Sequence, residues 1–119
     1  MDRDAASRHR QRIGNLRQER DALEEALLEA RELLRGSLVA HTILAGGYRR
    51  QHPAFYLARR ESGRRRMVYI RKTELDRARR QVEADRSYVE RLRRLRVLKV
   101  EILKAFQALR ESADVLDCK

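Results

Sequence analysis

Along the first third of the chain, apolar residues return at helical spacing: Ile13, Leu16, Leu23, Leu27, Ala30 and Leu34, with Arg20 standing at one position of the same series. That spacing puts them on one side of an α-helix and predicts a coiled-coil seam. Ser7 can cap the start of this helix and Gly36 its end, and Asp21, Glu24, Glu25, Glu29 and Glu32 make its second half acidic. A charge within a seam costs stability but fixes register, so Arg20 implies one defined partner helix. A second helix is predicted from Thr73 onward, where no Pro or Gly interrupts the chain up to Lys119. Thr73 offers a capping hydroxyl, and Glu74 and Asp76 suit the positive end of the helix dipole. Its apolar stripe of Leu75, Ala78, Val82, Val89 and Leu92 gives way to Leu95, Leu98, Ile102, Phe106 and Leu109, turned by roughly a fifth of a circle at ~100° per residue. The seam therefore changes face near Leu92. A helix this long in so short a chain reaches beyond its own core, which predicts a homodimer through the helices.

Between the helices the period changes to two. Ser37 to Leu44, SLVAHTIL, has the β-branched and aliphatic content of a strand. Ala45 to Pro53, AGGYRRQHP, reads as a loop that exposes Arg49 and Arg50. Ala54 to Lys72 then reads as a hairpin about Ser62-Gly63. If Glu61 faces Arg64 across that turn, Tyr56 pairs with Tyr69, Leu57 with Val68 and Phe55 with Ile70. Phe55, Leu57, Val68 and Ile70 then share an apolar face, and Tyr56, Tyr69, Arg60, Arg65 and Arg71 share the other. A three- or five-residue loop would send each side chain to the other face. The predicted fold is α+β: an N-terminal helix (1–36), a three-stranded antiparallel β-meander (37–72) and a long C-terminal helix (73–119), with coiled-coil-like helix packing and one folding unit.

Composition narrows the class of protein. The chain has 119 residues, 42% hydrophobic and 39% charged, which excludes two independent cores and the low-hydrophobicity signature of disorder. Its net charge of +11 is uneven. Residues 1–36 carry 8 basic and 8 acidic side chains, residues 37–73 carry 9 and 1, and residues 74–119 carry 12 and 9. The excess belongs to the predicted sheet, and a cationic patch of that kind implies a polyanionic partner. Arginine supplies 25 of the 29 cations, which suits bidentate phosphate and guanine contacts but also follows from a GC-rich genome. The single Cys118 gives no intramolecular disulfide and no thiolate metal site. With no signal-like apolar core at the N-terminus and no membrane-length apolar run, a cytoplasmic protein is expected, nucleoid-associated if it binds DNA, and with no membrane partner.

The candidate nucleic-acid-binding residues are Arg49, Arg50, Tyr56, Arg60, Arg64, Arg65, Arg66, Tyr69, Arg71 and Lys72. A small sheet can enter the DNA major groove and present Arg to guanine, or its tyrosines can stack unpaired bases. Double-stranded DNA comes first, because the arginines outnumber the two tyrosines, and RNA or single-stranded DNA is the alternative. The rival reading is a coiled-coil adaptor binding another polypeptide, its charged strand face serving only to protect an edge. Arg91, Arg93, Arg94, Arg96, Lys99 and Lys104 on the second helix read as a solvated face partly paired with Glu90, Glu101 or the first helix. His9, His41 and His52 show no metal-ligand spacing, and no nucleophile, phosphate-loop or paired-carboxylate constellation occurs in a plausible context. A non-catalytic protein without a cofactor is expected.

One resemblance bears on setting. Gly36-Ser37-Leu38, then His52 ahead of Phe55-Tyr56-Leu57, then Gly63-Arg64-Arg65-Arg66-Met67-Val68-Tyr69-Ile70 with Lys72 and a helix, resemble an uncharacterised family of small prokaryotic proteins. Its motifs are G-S-L, a Cys-rich loop, H-G-P-Y-Y and G-K-T-R-x-V-Y-V before a long closing helix, and its members are often encoded beside or within mobile elements. The likeness covers about residues 36–110. Here the loop is shorter and has no Cys, so no metal site carries over. What the resemblance implies is a transposon-associated or other DNA-handling accessory role.

Overall fold

The computed structural model describes residues 3–42, 44–45, 48–49 and 53–117. The architecture is α+β: helix α1 (Arg3–Glu29), strands β1 (Ser37–His41), β2 (Leu44–Ala45), β3 (Tyr48–Arg49), β4 (Ala54–Glu61) and β5 (Arg64–Ile70), and helix α2 (Leu75–Ala113). Strands β1, β4 and β5 form an antiparallel sheet in that order; β1 ends at His41, short of the expected Leu44, which pairs instead in β2 with β3, in a stretch otherwise expected to be loop. The chain divides into two compact units, residues 1–29 with 89–119 and residues 30–88, so that α2 contributes to both. No helix among the described residues is long and apolar enough to cross a membrane.

The first unit is an antiparallel helix pair. Ile13 and Leu16 of α1 are buried against Leu98, Ile102 and Ala105 of α2, and Leu23 and Leu109 pack on this cluster partly exposed. These positions follow the three-four spacing of a coiled-coil seam, and Leu98 is fully buried. Along the rim Arg94 grips Glu19 with two hydrogen bonds of 2.7 and 3.0 Å, and Arg12 lies 3.9 Å from Glu101. Arg20, the charge in the predicted seam, pairs with its neighbour Asp21 at 3.0 Å. Phe106 was expected in the seam of α2, but it is 45% exposed and Ala105 is buried in its place.

The helix boundaries differ from the sequence expectation at each end: α1 already begins at Arg3, so Ser7 lies inside it and does not cap it, and α2 ends at Ala113 ahead of a 3₁₀ turn, Val115–Asp117. Helix α1 stops at Glu29 rather than Gly36, although nothing between them breaks a helix. Glu32 takes a left-handed backbone (φ 53°), and the Leu34 N–H donates to the Gln81 carbonyl at 3.1 Å. A tertiary hydrogen bond thus takes the amide that another helical turn would have used, and local propensity yields to it. Ala30 and Leu34 accordingly leave the helical seam. At the other end, Thr73 lies inside a 3₁₀ turn, Lys72–Glu74, that precedes α2, and the capping position falls on Arg71, whose side chain makes no cap.

In the second unit the first turns of α2 cover one face of the sheet. Leu57 is 3% exposed, Ala78 and Val82 of α2 are buried, and the Arg79 guanidinium sits over the Phe55 ring, 5.3 Å from its centroid. Ile70 and Ala78 border the same small hollow beside Leu34. Gly36 fixes the entry into β1. Its φ is +135°, and a Cβ there would stand 2.7 Å from the Ala58 carbonyl oxygen across the ladder. Neither the conformation nor the backbone oxygen can give way cheaply, so Gly36→Ala is expected to lower stability by about 1–3 kcal/mol, read from urea melts of the wild type and variant.

Candidate nucleic-acid interface

The hairpin closes with a two-residue turn. Ser62 and Gly63 both have positive φ, 51° and 78°, the signature of a type I′ turn. Glu61 therefore faces Arg64, and the register pairs Leu57 with Val68, Tyr56 with Tyr69 and Phe55 with Ile70, as the alternation implied. Strand geometry then separates two rows of side chains. Phe55, Leu57, Arg59 and Glu61 lie with Arg64, Arg66, Val68 and Ile70 on the face that α2 covers. Tyr56, Ala58 and Arg60 lie with Arg65, Met67 and Tyr69 on the other, and Arg71, in extended backbone just beyond β5, continues that row.

The arginines of the two faces differ in their partners. Arg59 and Arg66 are cross-strand neighbours, and the Glu61 carboxylate bridges them, accepting from Arg59 Nε at 2.7 Å and from Arg66 Nη1 at 2.8 Å. Arg60 and Arg65 are neighbours in the same register on the open face. Both are exposed, and among the described residues neither has a carboxylate partner. Like charges directly opposite each other destabilise a sheet. The covered face relieves that cost with Glu61, whereas the open face leaves it standing. Arg35 adds to the same end of the sheet, its guanidinium donating to the Arg60 carbonyl at 3.3 Å.

Hydrogen bonds from Arg66 and Arg59 hold the Glu61 carboxyl below its ordinary pKa. A depressed carboxylate stabilises the fold fully above its unfolded titration range and loses that contribution as pH falls through its folded value. Acidification below the ordinary carboxylate range is therefore expected to release Arg59 and Arg66, visible as movement of the Arg59 Nε–H and Arg66 Nη–H chemical shifts toward those of a free guanidinium. The Arg60 signal should not change with them.

Beside the free arginines runs a row of rings. His41, Tyr56 and Tyr69 come from β1, β4 and β5. Tyr56 meets His41 at 5.6 Å and Tyr69 at 5.7 Å between centroids, edge to face, within the range of favourable aromatic pairs. Tyr69, on an edge strand, is 58% exposed. His41, Thr42, Tyr56 and Met67 line an open hollow of about 320 Å³.

Of the residues proposed from sequence, Tyr56, Arg60, Arg65, Tyr69 and Arg71 share this open face. Arg66 is instead tied to Glu61, Arg64 belongs to the covered face's row at the turn, and Lys72 begins the 3₁₀ turn. Only the backbone of Arg49 is described, in β3, and Arg50 and His52 lie outside the described residues, as does Cys118. His41 and Arg35 were missed. Both become neighbours of the hairpin only through the pairing of β1 with β4, which is set across the intervening residues 42–53 and not by local pattern.

The basic cluster of α2 has a different character. Arg94 is committed to Glu19, whose carboxyl that contact holds below its ordinary pKa. This agrees with a solvated helix rim partly paired to α1.

Fold and site together define an α+β protein whose small antiparallel sheet is covered by a helix on one face and presents arginines and aromatic rings on the other. Compared with known protein families, curated proteins and solved structures, the chain finds no match.

Proposed function

We propose that this protein binds nucleic acid, without catalysis, through the open face of its sheet. The observation that carries this reading is the cross-strand pair Arg60–Arg65, two exposed arginines opposite each other with no carboxylate partner among the described residues, beside Tyr56 and Tyr69. A phosphate placed there does for Arg60 and Arg65 what the Glu61 carboxylate does for Arg59 and Arg66. Guanidinium forks match phosphate oxygens in the same bidentate way that they match carboxylates. Arg71 lies on the same face, with Arg64 and Lys72 at the rim. DNA handling beside mobile elements is the role that the family resemblance implies, and a place in the cytoplasm or on the nucleoid belongs to the same proposal.

The test is a fluorescence anisotropy titration with a labelled DNA oligonucleotide at about 50 and about 200 mM salt. Each phosphate neutralised adds ~0.7 to the salt slope for a single strand and ~0.9 for a duplex, so affinity should drop steeply between the two conditions. Absence of binding at the lower salt, for single and double strands alike, ends this reading.

The helix pair supports a homodimer as part of the proposal. Val89, Val100 and Leu103 of α2 stand 37%, 51% and 65% exposed. At ~100° per residue they share a stripe distinct from the Leu98 seam. Two helices with so thin a core gain most from a second layer of the same kind. Light scattering is expected to give twice the chain mass for the wild type and the chain mass for Leu103→Glu; a wild-type monomer at high concentration removes the dimer.

A further inference from the structure

Resting on that reading, the geometry points to unpaired nucleic acid as the ligand, with bases stacked on the ring row of the open face and the backbone held at Arg60 and Arg65. By residue count alone, arginines dominate the sheet and favour a duplex. The structure shifts that balance from both sides. Arg59 and Arg66 are withdrawn from the open face and satisfied by Glu61, while His41 joins Tyr56 and Tyr69 to make three rings in a row across three strands.

The open face also has relief that a duplex does not use. Tyr69 presents 58% of its surface to solvent at the edge strand, enough for a base to lie against it. Next to it, the hollow of about 320 Å³ between His41, Thr42, Tyr56 and Met67 is walled by a tyrosine, an imidazole and a thioether. That volume falls at the low end of the about 300–1,000 Å³ typical of small-molecule pockets, and its apolar walls suit a flat ring rather than a phosphate. Bases paired within a duplex expose only their edges and can enter neither place. Unpaired bases can occupy both, one on Tyr69 and a neighbour in the hollow, while their phosphates meet the uncompensated guanidiniums. Aromatic platforms flanked by cations bind single strands in this way and tolerate many sequences, because every base has a π-face.

The test compares three probes of equal length on the full chain at one salt concentration: oligothymidylate, oligouridylate and a mixed-sequence DNA duplex. Single strands are expected to bind at least about tenfold more tightly than the duplex. Tyr69→Ala, at an exposed position, should leave the circular dichroism spectrum unchanged and weaken single-strand binding by about 5- to 150-fold, the span for one lost base–aromatic stack. Tyr69→Phe should keep the wild-type affinity, since the ring and not the hydroxyl is used. Either order of affinity between the two single strands supports the inference and tells DNA from RNA as the source. Duplex binding equal to or tighter than single-strand binding, with Tyr69→Ala affecting neither or both alike, overturns it and leaves nucleic-acid binding standing. No binding to any probe removes the underlying reading as well.

Discussion

Reversing two charges on the open face, R60E/R65E, is expected to weaken nucleic-acid binding by about 100-fold or more without unfolding the protein. Hydrogen bonds to charged groups are each worth about 1.5–3 kcal/mol, so two together come to about 3–6 kcal/mol, and every 1.4 kcal/mol is tenfold. Both side chains are exposed, and among the described residues neither takes part in an ion pair, so the fold loses nothing when they change. The salt slope should also fall by about 1.4 for a single strand as two phosphate contacts disappear. The matched control is R59A/R66A. Those arginines belong to the Glu61 bridge, so their removal should lower the stability of the hairpin while costing binding much less. Anisotropy titrations and thermal melts of the two double variants separate the faces. Equal losses of affinity would mean that the charge of the hairpin matters only in bulk.

Leu98→Ala is expected to cost about 2–5 kcal/mol of stability, the range for truncating a buried leucine. Leu98 is the one large side chain among the described residues that is fully buried, and it sits at the centre of a seam made by Ile13, Leu16, Ile102 and Ala105. With so few buried neighbours, little else can compensate, and a cavity in a two-helix interface has few walls that can collapse onto it. Val100→Ala, half-exposed on the same helix, should change stability by less than about 0.5 kcal/mol in a protein held monomeric by Leu103→Glu. Urea melts of the helical circular dichroism signal, with and without Leu98→Ala in that background, measure both. Comparable effects from the two positions would place the stabilising seam elsewhere on α2.

The elements most legible in the sequence were those with strong local patterns. The hairpin register followed from a single assumption about Ser62-Gly63, since a two-residue turn fixes every pairing in β4 and β5. The seam residues Ile13, Leu16, Leu98 and Ile102 followed from spacing. What the sequence hid was set by contacts between residues far apart in the chain. Helix α1 ends early because the Leu34 amide goes to Gln81, a partner that no local pattern announces. Arg64 and Arg66 were counted among the binding arginines as neighbours of Arg65 at the hairpin tip, whereas alternation gives the two of them to one face and Arg65 to the other. The bridging role of Glu61, a lone acid in a cationic segment, was readable from the same register, because it shares a face with both Arg59 and Arg66. His41 was read only as a histidine without ligand spacing, and its place beside Tyr56 depends on the pairing of β1 with β4.

The open sheet face is most directly tested by NMR mapping of the isotopically labelled full chain as an oligonucleotide is added. The shifts and broadening are expected to fall on His41, Tyr56, Arg60, Arg65, Met67 and Tyr69, with the Arg59 Nε–H and Arg66 Nη–H signals, held by Glu61, little changed. Perturbations centred instead on Arg91, Arg93, Arg96, Lys99 and Lys104 of α2, with the sheet unaffected, would contradict it.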